Sequence, residues 1–236
     1  MIFLPETRSS DLSLPFGILY EDNHLIAVNK PVNLLVQGDR TGDPVLAELV
    51  REYLREKYKK PGNVFLGVTH RLDRPVSGVV LMAKTGKALS RVNEMFRKKQ
   101  VKKTYWAIVK DIPRPEEGTL RHYMIKNREQ NKSIAYDHPM PGSREAILHY
   151  RLVKNLKRCF LLEIDLETGR HHQIRAQLAA IGCPVMGDLK YGYPGSNPGG
   201  DISLHARRLS LQHPVKNAVL NLEAPPPDDS IWQSFL

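Results

Sequence analysis

The stretch His70-Arg71-Leu72-Asp73-Arg74-Pro75-Val76-Ser77-Gly78 sets a single carboxylate between two guanidinium groups. Opposite charge nearby favours the ionised form of a carboxylate, which suits a nucleophile or a base. A surface turn closed by a salt bridge fits the same residues, and spacing alone favours that plainer reading. The apolar run 79–82 that follows has the pattern of a buried strand, so Asp73 stands on a connection between strands, where functional loops concentrate.

Other chemistries have less to work with. His70, His171, His172, His205 and His213 fall near polar residues, but no HExxH and no paired CxxC accompanies them, so no metal is expected. His171 and His172 are adjacent and on a helix would face different directions, unable to share one ion. A glycoside or nucleoside hydrolase wants a second acid beside Asp73, and none stands close in sequence. Neither glycine-loop signature of the common nucleotide-cofactor classes is present, and no cofactor is expected. Cys159 and Cys183 sit among apolar neighbours and are expected as buried, reduced core residues.

The 236-residue chain, 41% hydrophobic and 25% charged, has the composition of a globular protein with a substantial core. Its formal net charge of +10 points to a polyanionic partner, nucleic acid first. Lys98, Lys99, Lys102 and Lys103 form the densest basic cluster and, with Arg207 and Arg208, are candidates for phosphate contacts. No apolar run approaches the roughly twenty residues of a membrane span, and the start lacks a secretory pattern. The chain reads as a soluble cytoplasmic protein, monomeric by default.

The elements that position Asp73 follow from periodicity. Residues 1–16 lack it and read as an N-terminal arm ahead of one body, 17–236. Residues 18–20 and 25–28 form a hairpin that ends at Asn29-Lys30-Pro31. Asp43 as cap and Pro44 at the first helical position open a helix that Pro61-Gly62 stops. Residues 64–68 and 79–83 are the strands on either side of the Asp73 loop, followed by a helix over 86–99 and a strand over 104–109. Residues 120–125, 147–153 and 160–166 are further strands, then a helix over 170–181 with Gly182 as its C-terminal stop. Ile174, Leu178 and Ile181 share the buried stripe of that helix, with Arg175 at its edge. A long loop over 192–200 and strands over 204–211 and 218–222 complete a mixed α/β body whose second half is mainly β.

The His70–Gly78 segment resembles the signature of the RluA-type RNA pseudouridine synthases, in which that loop presents the catalytic aspartate. Residues 25–31 ending in Asn-Lys-Pro resemble the family's first motif, Lys103 to Ala107 its KxYxA motif, and Gly169 to Arg175 with Leu178 its GRxHQIRxxL motif. Residues 184–188, Tyr191-Gly192, Leu204-His205-Ala206 and His213-Pro214 continue the match in the same order, from about residue 18 to residue 227. The resemblance implies an α+β pseudouridine synthase fold: a mixed, mainly antiparallel sheet with flanking helices and a central active-site cleft, the catalytic domain spanning 17–236. It also implies an isomerase that turns specific uridines of tRNA, rRNA or both into pseudouridine without cofactor or metal, acting on a flipped-out base.

By the same resemblance Asp73 would be the essential carboxylate, as a nucleophile on sugar or base or as the base that removes a sugar proton. Arg175 would pair with it and orient it, and Tyr105 would stack on the uracil and help remove the C5 proton. Ile174 and Leu178 are helix core or pocket wall; His70 and Arg71 shape the loop or meet RNA. Arg74, Arg170, Gln173 and Lys103 are further RNA-binding candidates, and Lys30 is either a phosphate contact or surface charge. Two departures stand out: Val76 replaces a threonine common in the family, and Asn33 replaces a glycine, in a position where asparagine can still turn left-handed. The arm is too short for the small N-terminal RNA-binding domain many relatives carry, leaving RNA to the catalytic body. The alternative is a catalytically silent RNA-binding or ribosome-assembly factor on the same fold.

Overall fold

The turn at Asp22 starts the architecture. Its carboxylate accepts the backbone N–H groups of His24 and Leu25, both at 2.8 Å, and folds β1 (Gly17–Glu21) back onto β2 (Leu25–Lys30). The computed structural model describes residues 14–38, 43–156 and 159–235. Most of the expected N-terminal arm lies outside the described residues, whereas Leu14 and Phe16 already pack on the core.

Along the chain follow α1 (Leu46–Lys57), β3 (Gly67–Val68), β4 (Ser77–Ala83), α2 (Gly86–Arg97), β5 (Lys102–Val109), β6 (Glu117–Asn127) and β7 (Lys132–Tyr136). Then come β8 (Arg144–Leu156), β9 (Cys159–Leu166), α3 (Gln173–Ala180), β10 (Leu204–Gln212), β11 (Val219–Glu223) and α4 (Ser230–Gln233). Among the described residues eleven strands make one sheet in the order β1-β2-β4-β10-β5-β9-β8-β6-β7, with β11 on β10 and β3 on β4. This is the expected α+β architecture, a mixed and mainly antiparallel sheet with flanking helices.

Alternation builds two cores from the same strands. Ile26, Val28, Val80 and Met82 face the layer closed by Leu46, Val50 and Leu54 of α1, while Leu25, Ala27, Val79 and Leu81 face Ala88 and Val92 of α2. Strand β4 is therefore buried on both faces, which explains its unbroken apolar sequence.

The two halves of the sheet meet where β4 pairs with β10, the parallel contact, at Ser77 with His205 and Gly78 with Ala206. Gly78 has φ +117°, and a β-carbon there would fall 2.3 Å from the Ala206 carbonyl oxygen, so only glycine closes the seam. Beside it Ser77 Oγ and His205 Nδ1 stand 2.8 Å apart, and His205 Nε2 reaches the Ala224 carbonyl at 3.1 Å. That carbonyl can only accept, so Nε2 carries the proton and Ser77 donates to Nδ1. The Asp73 loop thus enters the sheet at its most constrained point.

Several boundaries differ from the sequence reading. Helix α1 starts at Leu46, not at Pro44, because its first N–H groups are taken by the Leu35 and Val36 carbonyls while the Asp43 carboxylate meets Arg74. The strand expected over 64–68 keeps only the two residues of β3. Strand β7 falls where no strand was expected, paired to β6 alone at the sheet edge. Helix α3 begins three residues late because His172 adopts φ +53°, and it ends one residue before the expected Ile181, with Gly182 at φ +76° behind it.

Lys30 is the largest correction. It is wholly buried, and its ammonium donates to the carbonyls of Pro31 (2.8 Å), Leu34 (2.7 Å) and Arg74 (3.1 Å). It is neither a surface charge nor a phosphate contact; it ties the turn after β2, where Asn33 indeed sits at φ +61°, to the residue following Asp73. Burial pulls its pKa down to about 7, opposed by the Asp73 charge. Replacing Lys30 with Met should orphan three buried carbonyls and lower unfolding free energy by about 3 kcal/mol or more in urea melts. Gly78→Ala should likewise cost about 3 kcal/mol or more in the same melts, since both the positive φ and the Ala206 contact oppose it.

Candidate active site

A cleft of about 1150 Å³ opens beside the seam, with Asp73 in its wall. Leu72, Val76, Tyr105, Ile174 and Leu204 give it an apolar part, and Arg71, Arg74, Lys103, Lys126, Arg170 and Lys190 a basic one. Asp73 is held in a turn by the Val76 N–H bonding back to its carbonyl at 3.1 Å. Its side chain stays 31% exposed, so the carboxylate faces the cleft.

Arg175 reaches it from α3, 102 residues along the chain, with Nη1 donating to Asp73 Oδ2 at 3.1 Å. The rest of the guanidinium is already committed: Nε and Nη2 donate to the two oxygens of Asp188 at 2.6 and 2.8 Å. Such a two-point fork fixes the plane as well as the position of the arginine. Its carbon also lies 5.0 Å from the centre of the Tyr191 ring. Burial works against the arginine's charge, but hydrogen bonds and charge from Asp188 and Asp73 prevail and raise its pKa above the ordinary value. Arg175 is not at the edge of the buried stripe, as its spacing implied, but inside it.

Tyr105 sits on β5 opposite Ala206 of β10 and Ile164 of β9, so the strands at the seam carry it to the cleft. Burial, with the Asp73 charge second, pushes its phenol above the usual range, so it offers a neutral hydroxyl and a ring face. His70 Nε2 accepts the Leu81 N–H at 3.0 Å, and its ring lies 5.3 Å from Phe96. Burial, then Lys103, lowers its pKa to about 4, so it is a neutral member of the loop.

The remaining candidates divide. Arg71, Arg74, Lys103 and Arg170 line the cleft, although Arg74 also pairs with Asp43 at 2.8 Å and Arg170 Nε with the Glu145 carbonyl at 2.8 Å. Gln173 lies against the cleft, but its amide is spent on Thr168, on the Arg170 N–H and on the Ile147 carbonyl, so it braces the turn into α3 rather than presenting a group to RNA. Leu178 is core and Ile174 is core at the cleft wall. Lys98, Lys99, Lys102, Arg207 and Arg208 do not line the cleft; Lys99 pairs with Glu167, Arg208 with Glu163, and Arg207 packs over Trp106.

Sequence reasoning assigned no role to Asp188, Tyr191 or His172. Asp188 and Tyr191 were visible only as parts of matched motifs, with no charge pattern to mark them. His172 was set aside with the other histidines, yet its Nε2 lies 3.4 Å from Asp73 Oδ2. It and His171 precede the helix and stack with ring centres 3.8 Å apart, not pointing apart as a helical pair would. Lys126 from the end of β6, Asn131 from the β6–β7 turn and Lys190 from the short 3₁₀ turn Leu189–Tyr191 join the rim, where the sequence pattern did not place them.

Comparisons with known proteins agree with this geometry. The model of the RNA pseudouridylate synthase family matches residues 24–180. An uncharacterized RNA pseudouridine synthase of Synechocystis is 33% identical over 234 residues, covering 96% of this chain and 71% of that protein. Ribosomal large subunit pseudouridine synthase D of Haemophilus influenzae is 33% identical over 245 residues, covering 96% and 72%. The solved structure of human RNA pseudouridylate synthase domain containing 4 is similar with a TM-score of 0.77 at 25% identity, covering 93% of this chain and 92% of that one. With the family model spanning most of the chain and relatives a third identical along nearly all of it, this protein belongs to the RNA pseudouridylate synthase family.

Proposed function

We propose that this enzyme converts specific uridines of tRNA or rRNA to pseudouridine, with Asp73 as the reacting carboxylate. The observation that carries the reading is the pairing of a solvent-reachable carboxylate in a cleft with an arginine whose other nitrogens are fixed by a buried Asp188. The Haemophilus influenzae relative is named a ribosomal large subunit pseudouridine synthase, which supports ribosomal RNA as a substrate class here.

The reaction breaks the N1–C1′ bond, turns the uracil and joins C1′ to C5; the C5 proton leaves to solvent and N1 gains one. No electrons are gained or lost, so a placed carboxylate is sufficient to start it. Attack at the sugar, attack at the base and removal of a sugar proton all begin from the same anion. Each needs that anion oriented before the base arrives, which is the service of Arg175.

A uridine inside folded RNA reaches Asp73 only by leaving its stack, at a cost of roughly a few kcal/mol. Stacking on Tyr105 and contact with Ile174 and Leu204 offset that cost. Arg71, Arg74, Lys103, Arg170, Lys126 and Lys190 meet the flanking phosphates, in keeping with the net charge of +10. Asp73, Arg175 and Tyr105 line one cleft of one chain, with Asp188 behind Arg175, so this reading needs no second subunit and takes the enzyme as a monomer that meets its RNA in the cytoplasm. Among the described residues no helix is long and apolar enough to cross a membrane.

Incubation with tRNA and rRNA carrying tritium at uridine C5 should release the label into water. Asp73→Asn should reduce release by more than about 10³-fold while RNA affinity holds within a few-fold. Label retained by both RNA classes with the native enzyme, or full turnover by Asp73→Asn, would overturn the assignment.

A further inference from the structure

We infer that His172 is a positioning residue for Asp73, its imidazole tautomer fixed by a chain that runs from the Ser133 backbone through the Tyr191 hydroxyl. The inference rests on the reading of Asp73 as the reacting carboxylate. It begins at a donor that admits no ambiguity: the Ser133 N–H points at the Tyr191 hydroxyl oxygen, 2.8 Å away and buried. A backbone N–H can only donate, so the Tyr191 oxygen accepts there and keeps its own proton free for His172 Nδ1 at 2.9 Å, while the Asp73 carboxylate on the far side of the ring can only accept. Nδ1 is then an acceptor, and the ring proton belongs on Nε2, which faces Asp73 Oδ2 at 3.4 Å.

The surroundings keep every member in that state. Burial first, then the neighbouring Arg175 charge, pulls the His172 pKa far below the ordinary imidazole range, so the ring is neutral beside the guanidinium. Burial likewise pushes the Tyr191 phenol up to about 12, so it keeps the proton it must donate. His171 stacks on His172 and is itself held, Nδ1 at 2.9 Å from Ser133 Oγ and Nε2 at 3.1 Å from Asn131 Oδ1. Ser133 of edge strand β7 therefore fixes both rings, one through its backbone and one through its hydroxyl. The left-handed φ of +53° at His172 is what turns its side chain toward Asp73 rather than along α3.

Arg175 Nη1 and His172 Nε2 both address Asp73 Oδ2, while Oδ1 has no partner among the described residues. Oδ1 is the oxygen left to meet the uridine. A separation of 3.4 Å is long for a hydrogen bond in the empty cleft, and such contacts tighten when substrate fills the site.

Two readouts test this. In the ¹⁵N spectrum of histidine-labelled native protein at neutral pH, the His172 signal, assigned by its loss in His172→Gln, should show a bare Nδ1 and a protonated Nε2. A protonated Nδ1 overturns the chain whatever the variants do. In steady-state tritium release, His172→Ala should lower kcat about 10- to 100-fold with little change in KM. His172→Gln, which bears the same left-handed backbone cost but returns an N–H near the Nε2 position, should recover most of that loss. Tyr191→Phe keeps the ring over Arg175 and should lower kcat several-fold in native protein, yet have no further effect in the His172→Ala background. Equal losses from Tyr191→Phe in both backgrounds, or an unchanged kcat for His172→Ala, overturn the proposal. Full turnover by Asp73→Asn would instead remove the reading of Asp73, leaving the tautomer as it was found.

Discussion

An arginine that is 5% exposed must be neutralised, and in this protein that requirement organises the site. A buried cation with a missing partner costs several kcal/mol. Asp188, only 1% exposed, meets Arg175 with both oxygens and takes two of its nitrogens. What remains is the Nη1 amino group, its direction fixed by that fork, and Asp73 Oδ2 stands 3.1 Å from it. Because neutrality is supplied from behind by Asp188, Asp73 does not have to be buried to be held. A carboxylate can then be both oriented and open to a substrate.

The fold exists to bring those three residues together from distant parts of the chain. Asp73 comes from the loop before β4, which Lys30 clamps at the Arg74 carbonyl and Ser77 anchors to His205. Asp188 comes from the segment after α3, which is stitched to the sheet by Met186 N–H to the Ile108 carbonyl and Ser203 N–H to the Met186 carbonyl, both at 2.9 Å. Arg175 comes from α3, whose entry is braced by the buried amide of Gln173. The first support sits at the seam between β4 and β10, where the sheet changes from antiparallel to parallel; the second holds to β5, from which Tyr105 also projects, and the third to Ile147 of β8. The three residues of the ion-pair chain thus come from two loops and a helix anchored to the sheet, while the basic rim is drawn from strands β5 and β6 as well as from loops.

How much of this was legible in the sequence depended on whether a residue's partner was local. The strand after Asp73 and the stop at Gly182 follow from periodicity and glycine alone, whereas of the strand expected before it only Gly67–Val68 forms. The start of α1 was misread because Asp43-Pro44 has the form of a cap, whereas the carbonyls that satisfy the helix come from Leu35 and Val36. Lys30 was misread for the same reason: a lysine at a strand end looks exposed, and three carbonyl acceptors brought by tertiary structure leave no mark in the pattern. The approach of Arg175 to Asp73 was available only through the collinear motifs, since Arg71 and Arg74 are nearer in sequence. The left-handed turn at His172 and the edge strand that fixes it carried no signal in residue type.

The central claim is that Asp188 acts on the reaction through Arg175, and a double-mutant cycle on single-turnover isomerisation of a bound uridine-containing RNA tests it most directly. Asp188→Asn should slow the native enzyme at least about tenfold without loss of RNA affinity. The same change should add nothing once Arg175 is Gln, because the guanidinium that Asp188 orients is gone. Losses that simply multiply between the two variants would contradict the claim, showing that Asp188 serves the fold rather than the placement of Asp73.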